Sequence, residues 1–349
     1  MILYLHYNKA IEFVQSRNMH RKLDLRSHNK SDIIDVHGGK HEKRYKCKQC
    51  YSINIDAYDN CVSCGSPLKN PKSTLFRVVF QVFGLMAFYL GLQTALGVLI
   101  TIPVFFKNID SAEIVGGFTI FNHFSDAILT SVILSASIYI AVIVFYYHRK
   151  RRSVRAPYRF DRLNGYQITL GLVMGIGCVF LSQLILLVSQ STGLLNIDNL
   201  ESYEQLISSI IGQSPTWLIL LTIGIVAPIA EELLFRGLVF HMFNRHMNVK
   251  IALIIQGLLF GAFHMNLVQG VYASVLGIVL GMAYLLTGSL WIPILMHIVN
   301  NSVALLLPEA WMTDPVISMG LMGLLLLVPL GLWLLYRRND GQYIMDLNG

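Results

Sequence analysis

From about residue 76 onward, long apolar runs alternate with short polar connections. A helix needs roughly 20 mainly apolar residues to cross the hydrocarbon core of a bilayer. Eight segments meet or approach that length: 78–104, 127–147, 167–190, 215–242, 251–266, 271–287, 290–307 and 316–336. The fifth to the seventh are short and closely spaced, so one of them is open to a re-entrant or tilted course, which leaves seven as the alternative count. The expected fold is an all-α polytopic membrane protein with about eight transmembrane helices and a small N-terminal module. Residues 1–75 carry no spanning run. "MILYL" is too short for the core of a cleaved signal. Residues 1–44 read as a poorly ordered extension with one short helix near 8–18, and Met1 and Met19 both stay open as starts. The expected division is 1–44 extension, 45–70 small module, 71–164 first two spans with a basic loop, 165–308 a polar-bearing core, and 309–349 last span and tail.

Composition agrees with the pattern. Of 349 residues 54% are hydrophobic and 13% charged, against about a quarter charged in an average soluble protein. The net charge of +7 is unevenly placed. "HRKRRSVRAPYRFDR" follows the second run, Arg245 and Lys250 the fourth, and Arg337 and Arg338 the eighth. The alternate connections, near Asp110/Glu113, Asp198/Glu201/Glu204 and Glu309/Asp314, are acidic or poor in Lys and Arg. Lys and Arg are retained on the cytoplasmic side, which predicts both termini in the cytoplasm. The basic loop fits anionic head groups, and no nucleic-acid partner is expected.

The polar head contains "YKCKQCYSINIDAYDNCVSCGSPL". Cys47 and Cys50 form one C-x-x-C, Cys61 and Cys64 a second, and four of the five cysteines fall inside 18 residues. Two such knuckles suit a tetrahedral structural zinc ion, as in a zinc ribbon. Paired disulfides are the competing reading, disfavoured in a reducing cytoplasm. Cys178, alone in the third run, reads as a packing residue.

Ionisable groups inside spans are costly and mark function by default. Three patterns stand out: Glu231, Glu232 and Arg236 in "APIAEELLFRG"; Phe260 with His264; and His297 with Asn301. Glu232 and Arg236 are four apart and share a helix face. Glu231 lies about 100° round the helix from Glu232. A Glu232–Arg236 ion pair is therefore expected, with Glu231 left to point elsewhere. Pro228, lacking an N–H, should loosen the helix around the Gly224 carbonyl. His264 lies one turn past Phe260, and His297 and Asn301 share a face. Gly270, Ser274, Gly277 and Gly281 form a small-residue packing stripe.

In this order, on separate membrane helices, these three patterns resemble the CPBP family: the Rce1-type CAAX prenyl proteases and their bacterial relatives, often called Abi proteins. The resemblance covers roughly residues 165–308 and is strongest over 231–301. It implies a glutamate-type intramembrane endopeptidase in which Glu231 and His264 activate a water while His297 and Asn301 stabilise the oxyanion. Glu232, Arg236 and Phe260 take supporting places. A zinc-dependent mechanism through the same residues is the alternative, although the H-E-x-x-H helix pattern is absent. An ion-coupled carrier and a non-catalytic immunity or regulatory protein are the other classes. Compact size and the added ribbon suit a bacterial plasma membrane. The expected partners are the bilayer and a membrane-associated peptide or protein, such as a peptide signal or bacteriocin precursor.

Overall fold

In the computed structural model, the described residues are 44–46, 53–55, 75–109, 118–149, 160–211, 214–307 and 321–338. The expected 1–44 extension, apart from Arg44, and the thiols of Cys47, Cys50, Cys61 and Cys64 lie outside them. Of the small module, a two-stranded antiparallel hairpin is described: β1 Arg44–Lys46 pairs with β2 Ile53–Ile55, Tyr45 opposite Asn54.

Beyond the hairpin the described chain is helical, and the protein is an all-α polytopic membrane protein. All eight apolar runs appear as helices. We number them with one further element: α1 Leu75–Ile109, α2 Phe118–Arg149, α3 Gly165–Ser191, α4 Ile197–Ile211, α5 Thr216–Asn244, α6 Val249–Phe263, α7 Leu267–Thr287, α8 Trp291–Leu306 and α9 Leu327–Arg338. Among the described residues five segments are long and apolar enough to span: Leu75–Phe106, Ser125–Phe145, Gly165–Ser191, Thr216–Asn244 and Leu267–Thr287. Val249–Phe263, Trp291–Leu306 and Gly323–Arg337 are shorter apolar helices.

Two expectations shift. The sixth run is a full span, because Asn266 caps it from below: its side chain accepts from Gln269 N at 3.1 Å, so the helix starts at Leu267. Of the eighth, the described part from 321 onward passes through a 3₁₀ turn at Gly323–Leu326 before α9. The additional element, α4, fell in a stretch read only as an acidic connection. Its sequence "IDNLESYEQLISSII" places Ile197, Leu200, Tyr203 and Ile207 at intervals of three and four, a helical signal overlooked because the segment is too polar to span.

Helix ends follow local chemistry. Asn164 and Gln167 form a reciprocal capping box at the start of α3, at 2.9 and 3.1 Å. Asn248 accepts from Lys250 N to start α6. Gly288, at φ 64°, closes α7 in the left-handed region, which glycine enters without the Cβ penalty other residues meet. Between α6 and α7 the turn is a few residues long, with Met265 itself left-handed at φ 53°.

The helices pack through small residues. A Cβ on Gly257 would lie 2.9 Å from the Ser274 carbonyl, and one on Gly277 would lie 2.9 Å from Gly257 Cα. α6 and α7 therefore meet backbone to backbone along the predicted stripe, as expected where apolar surface alone gives no preference for a neighbour over lipid. Gly175 does the same for α3 against α8, facing Val299 and the Met296 carbonyl. One apolar core gathers Leu234, Phe235, Val239, Ala252, Phe260 and Leu290. A second gathers Met174, Cys178, Leu280, Ala283, Ile292 and Met296. The outer faces stay apolar, with Phe76, Phe80, Leu99 and Phe145 exposed to what is then the acyl region.

Candidate active site

α5 is not a regular α-helix. Two π-helical stretches, Leu220–Val226 and Leu233–Val239, flank a short α-helical piece, Ala227–Glu232. Inserted turns of this kind are frequent at functional sites because they rotate the following side chains. Here the regular piece between them carries both glutamates.

Glu232 and Arg236 are fully buried and paired as expected, with Arg236 Nη1 2.7 Å from Glu232 Oε1. The same Oε1 lies 2.9 Å from His297 Nδ1. An ionised carboxylate can only accept, so Nδ1 carries the proton and donates to it. That fixes the ring orientation and aims Nε2 at Glu231, whose Oε2 is 3.8 Å away. The first glutamate is thus near an imidazole from another helix. Its side chain keeps 12% exposure while that of Glu232 has none, so the two adjacent carboxylates are placed in different environments.

Arg236 is held from a second side. Its Nη2 donates to the Gly277 carbonyl on α7 at 2.9 Å, and its guanidinium lies 4.6 Å over the Phe260 ring. Close approach at the glycine stripe is what brings that carbonyl within reach. Gln256 on α6, fully buried, donates to the same oxygen at 2.8 Å. Gln256 was missed in the sequence, although it is a lone amide within the apolar run "IALIIQGLLF". Phe260 is the hub of the cluster: its ring centre is 5.0 Å from Phe235, 5.2 Å from His264 and 5.7 Å from His297. His264 caps α6, with its backbone N–H on the Gly261 carbonyl at 3.2 Å. It therefore stands at the end of α6, its ring edge-on to Phe260 as that of His297 is, at interplanar angles of 76° and 83°.

Asn301 departs from expectation in part. One N–H of its amide donates to the Ile223 carbonyl at 2.9 Å, and its Oδ1 accepts from Asn300 Nδ2 at 3.0 Å. Asn300, another residue missed in the sequence, is buried beside it. One N–H of Asn301 is left beyond that contact. Ser289, which flanks His297 in sequence, is turned away and donates to the Asp161 carbonyl at 2.8 Å. Among the described residues no three His, Cys, Asp or Glu side chains converge as metal ligands do.

Together, fold and site define a polytopic membrane protein with a buried Glu–Glu–Arg–His cluster on α5 and α8, edged by α6 and α7. Residues 213–303 match the model of the Rce1-like family, described as type II CAAX prenyl endopeptidase Rce1-like. That stretch carries every residue of the cluster. Over 85 residues, 24% of this chain, the sequence is 29% identical to YdiL of Bacillus subtilis (strain 168), a protein named as a candidate membrane peptidase. The match covers 35% of that protein, so the chain spans about a third of its relative's length. No solved structure gives a significant match.

Proposed function

We propose that this protein is an intramembrane endopeptidase that cuts a membrane-associated peptide or protein with a water activated by Glu231 and His264. The observation that carries this reading is the division of labour between two neighbouring glutamates. Glu232 is spent on Arg236 and His297, while Glu231, at the His297 Nε2 side, has no such short ion pair and keeps 12% of its side chain exposed. The Rce1-like match and the name of the relative support a peptidase.

In the proposed reaction Glu231 takes a proton from water as the oxygen attacks the scissile carbonyl, and His264 orients that water from the opposite side. The developing oxyanion is met by His297 Nε2–H when the ring is protonated, and by the Asn301 N–H that Ile223 does not use. The collected proton then passes to the leaving amine. Glu232 and Arg236 hold His297 in place and touch no substrate. No step here is routed through a metal. The cytoplasmic module is proposed to hold a structural zinc through Cys47, Cys50, Cys61 and Cys64.

The test uses the purified full chain in proteoliposomes, offered a quenched fluorescent CAAX peptide in prenylated and unprenylated forms. Cleavage by the wild type, loss of at least about 1,000-fold in Glu231→Gln and His264→Ala, and insensitivity to a strong zinc chelator are expected. Wild-type rates in Glu231→Gln would remove that residue from the chemistry. Loss of activity with chelator, restored by zinc, would favour the metal reading.

A further inference from the structure

The bulged turn that precedes the glutamates leaves one backbone carbonyl without a helical partner. In an α-helix the Ile223 carbonyl takes the N–H of residue 227. Here the Ala227 N–H reaches back five residues, to the Thr222 carbonyl. In that wider register the next N–H, that of residue 228, belongs to Ile223, and residue 228 is a proline with no N–H to give. The sequence suggested a loss at Gly224; the change of register places it at Ile223. A carbonyl inside the membrane without a donor is costly.

The structure supplies a donor from another helix. Asn301 Nδ2 lies 2.9 Å from the Ile223 oxygen. Asn300 Nδ2 holds the other end of that amide, 3.0 Å from Asn301 Oδ1, so the NH₂ group faces α5 rather than the oxygen. α8 comes close enough because residue 224 is glycine: a Cβ there would lie 2.8 Å from Ser302 Oγ. Pro228 stands three residues before Glu231.

We propose that Asn301, backed by Asn300, is a positioning residue: its amide replaces the helical donor missing at Pro228 and so holds the bulged turn in the register that aims Glu231. Its consequence for catalysis rests on the peptidase reading; the contact itself does not. An amide serving the oxyanion alone would gain nothing from a backbone N–H added at position 228. An amide serving Ile223 becomes partly redundant once that N–H exists.

The experiment compares wild type, Asn301→Ala, Asn301→Asp, Pro228→Ala and the Pro228→Ala/Asn301→Ala double variant as full-length protein in detergent. Two quantities are read: the midpoint of heat-induced aggregation, and kcat with KM on whichever of the two fluorescent peptides the wild type cuts. Asn301→Ala and Asn301→Asp, neither able to donate as an amide does, should lower the midpoint by several degrees. They should lower kcat on the order of 100-fold with KM little changed, the signature of a misplaced base. Adding Pro228→Ala should restore at least half of the midpoint loss and about tenfold in kcat. If Asn301→Ala does not accumulate, Asn300→Ala should give the same pattern more weakly, since the amide is then free to turn over. A double variant no better than Asn301→Ala in both readouts overturns the proposal. Recovery of the midpoint with none in kcat also overturns the positioning role and returns Asn301 to the oxyanion. If the wild type cuts neither peptide, the substrate class fails, and the midpoints alone decide whether Asn301 and Pro228 are coupled.

Discussion

Arg236 is surrounded by three kinds of partner: the Glu232 carboxylate, the Gly277 carbonyl and the face of Phe260. A guanidinium with no solvent exposure is tolerable only because its charge is matched and both terminal nitrogens are engaged, leaving the Nε–H as the one group without a hydrogen-bond partner. Replacing it should cost more stability than replacing the proposed base. Arg236→Leu leaves the Glu232 charge buried without its cation, a change that typically costs about 3–5 kcal/mol. Glu231→Gln keeps shape and removes only a partly exposed charge. In detergent, Arg236→Leu should show a sharply lowered aggregation midpoint and Glu231→Gln a midpoint within a few degrees of wild type. Equal losses would mean that Glu231, too, is a structural ion. At this scale the Glu232–Arg236 pair was legible, because four residues in a helix return to one face. The contact of His297 Nδ1 with Glu232 joins positions 65 apart and was not.

The elements that carry these residues are positioned by glycines. Gly257 and Gly277 let α6 and α7 touch at their backbones, and that contact brings the Gly277 carbonyl to Arg236 and Gln256. A single methyl at Gly257 would meet Ile278 Cγ1 and the Ser274 carbonyl, at 2.5 and 2.9 Å. Gly257→Ala should therefore part the two helices, at the cost of about 1–3 kcal/mol usual for overpacking, and lower cleavage together with stability. Gly84 in α1 has nothing within 4 Å of its would-be Cβ. Gly84→Ala should leave the melting midpoint unchanged or slightly raised, through better helix propensity. The glycine stripe on α7 was readable from spacing, its partner helix was not. The π-helical turns of α5 were not readable either: Pro228 announces a disturbance, but the register on either side depends on what α8 offers in return.

Over the whole molecule, α4 lies between α3 and α5 in the chain, at the end of α3 away from the basic loop that precedes it. α4 is fastened to the bundle through Tyr203, whose hydroxyl is 2.9 Å from that of Tyr272 on α7. Burial pushes the Tyr203 phenol above its usual pKa, with the Tyr272 bond acting in the opposite sense, so this phenol stays protonated throughout the physiological range. The distribution of Lys and Arg predicts the orientation. A green fluorescent protein fused after Gly349 should be fluorescent, and alkaline phosphatase fused there inactive; the reverse pair of results would invert the bundle and place α4 on the cytoplasmic face.

The sequence by itself determined the approximate places of the apolar helices, the polar residues that interrupt them and the stripe through which two of them meet. These follow from bilayer thickness and helical periodicity, which act along one segment at a time. Only the tertiary structure decided which oxygen of which glutamate meets His297, that Asn301 reaches the Ile223 carbonyl, and that Gln256 and Asn300 belong to the cluster. Each of those depends on a donor and an acceptor from different helices meeting within about 3 Å, a condition fixed by how closely the helices pack and by the register in which α5 is wound.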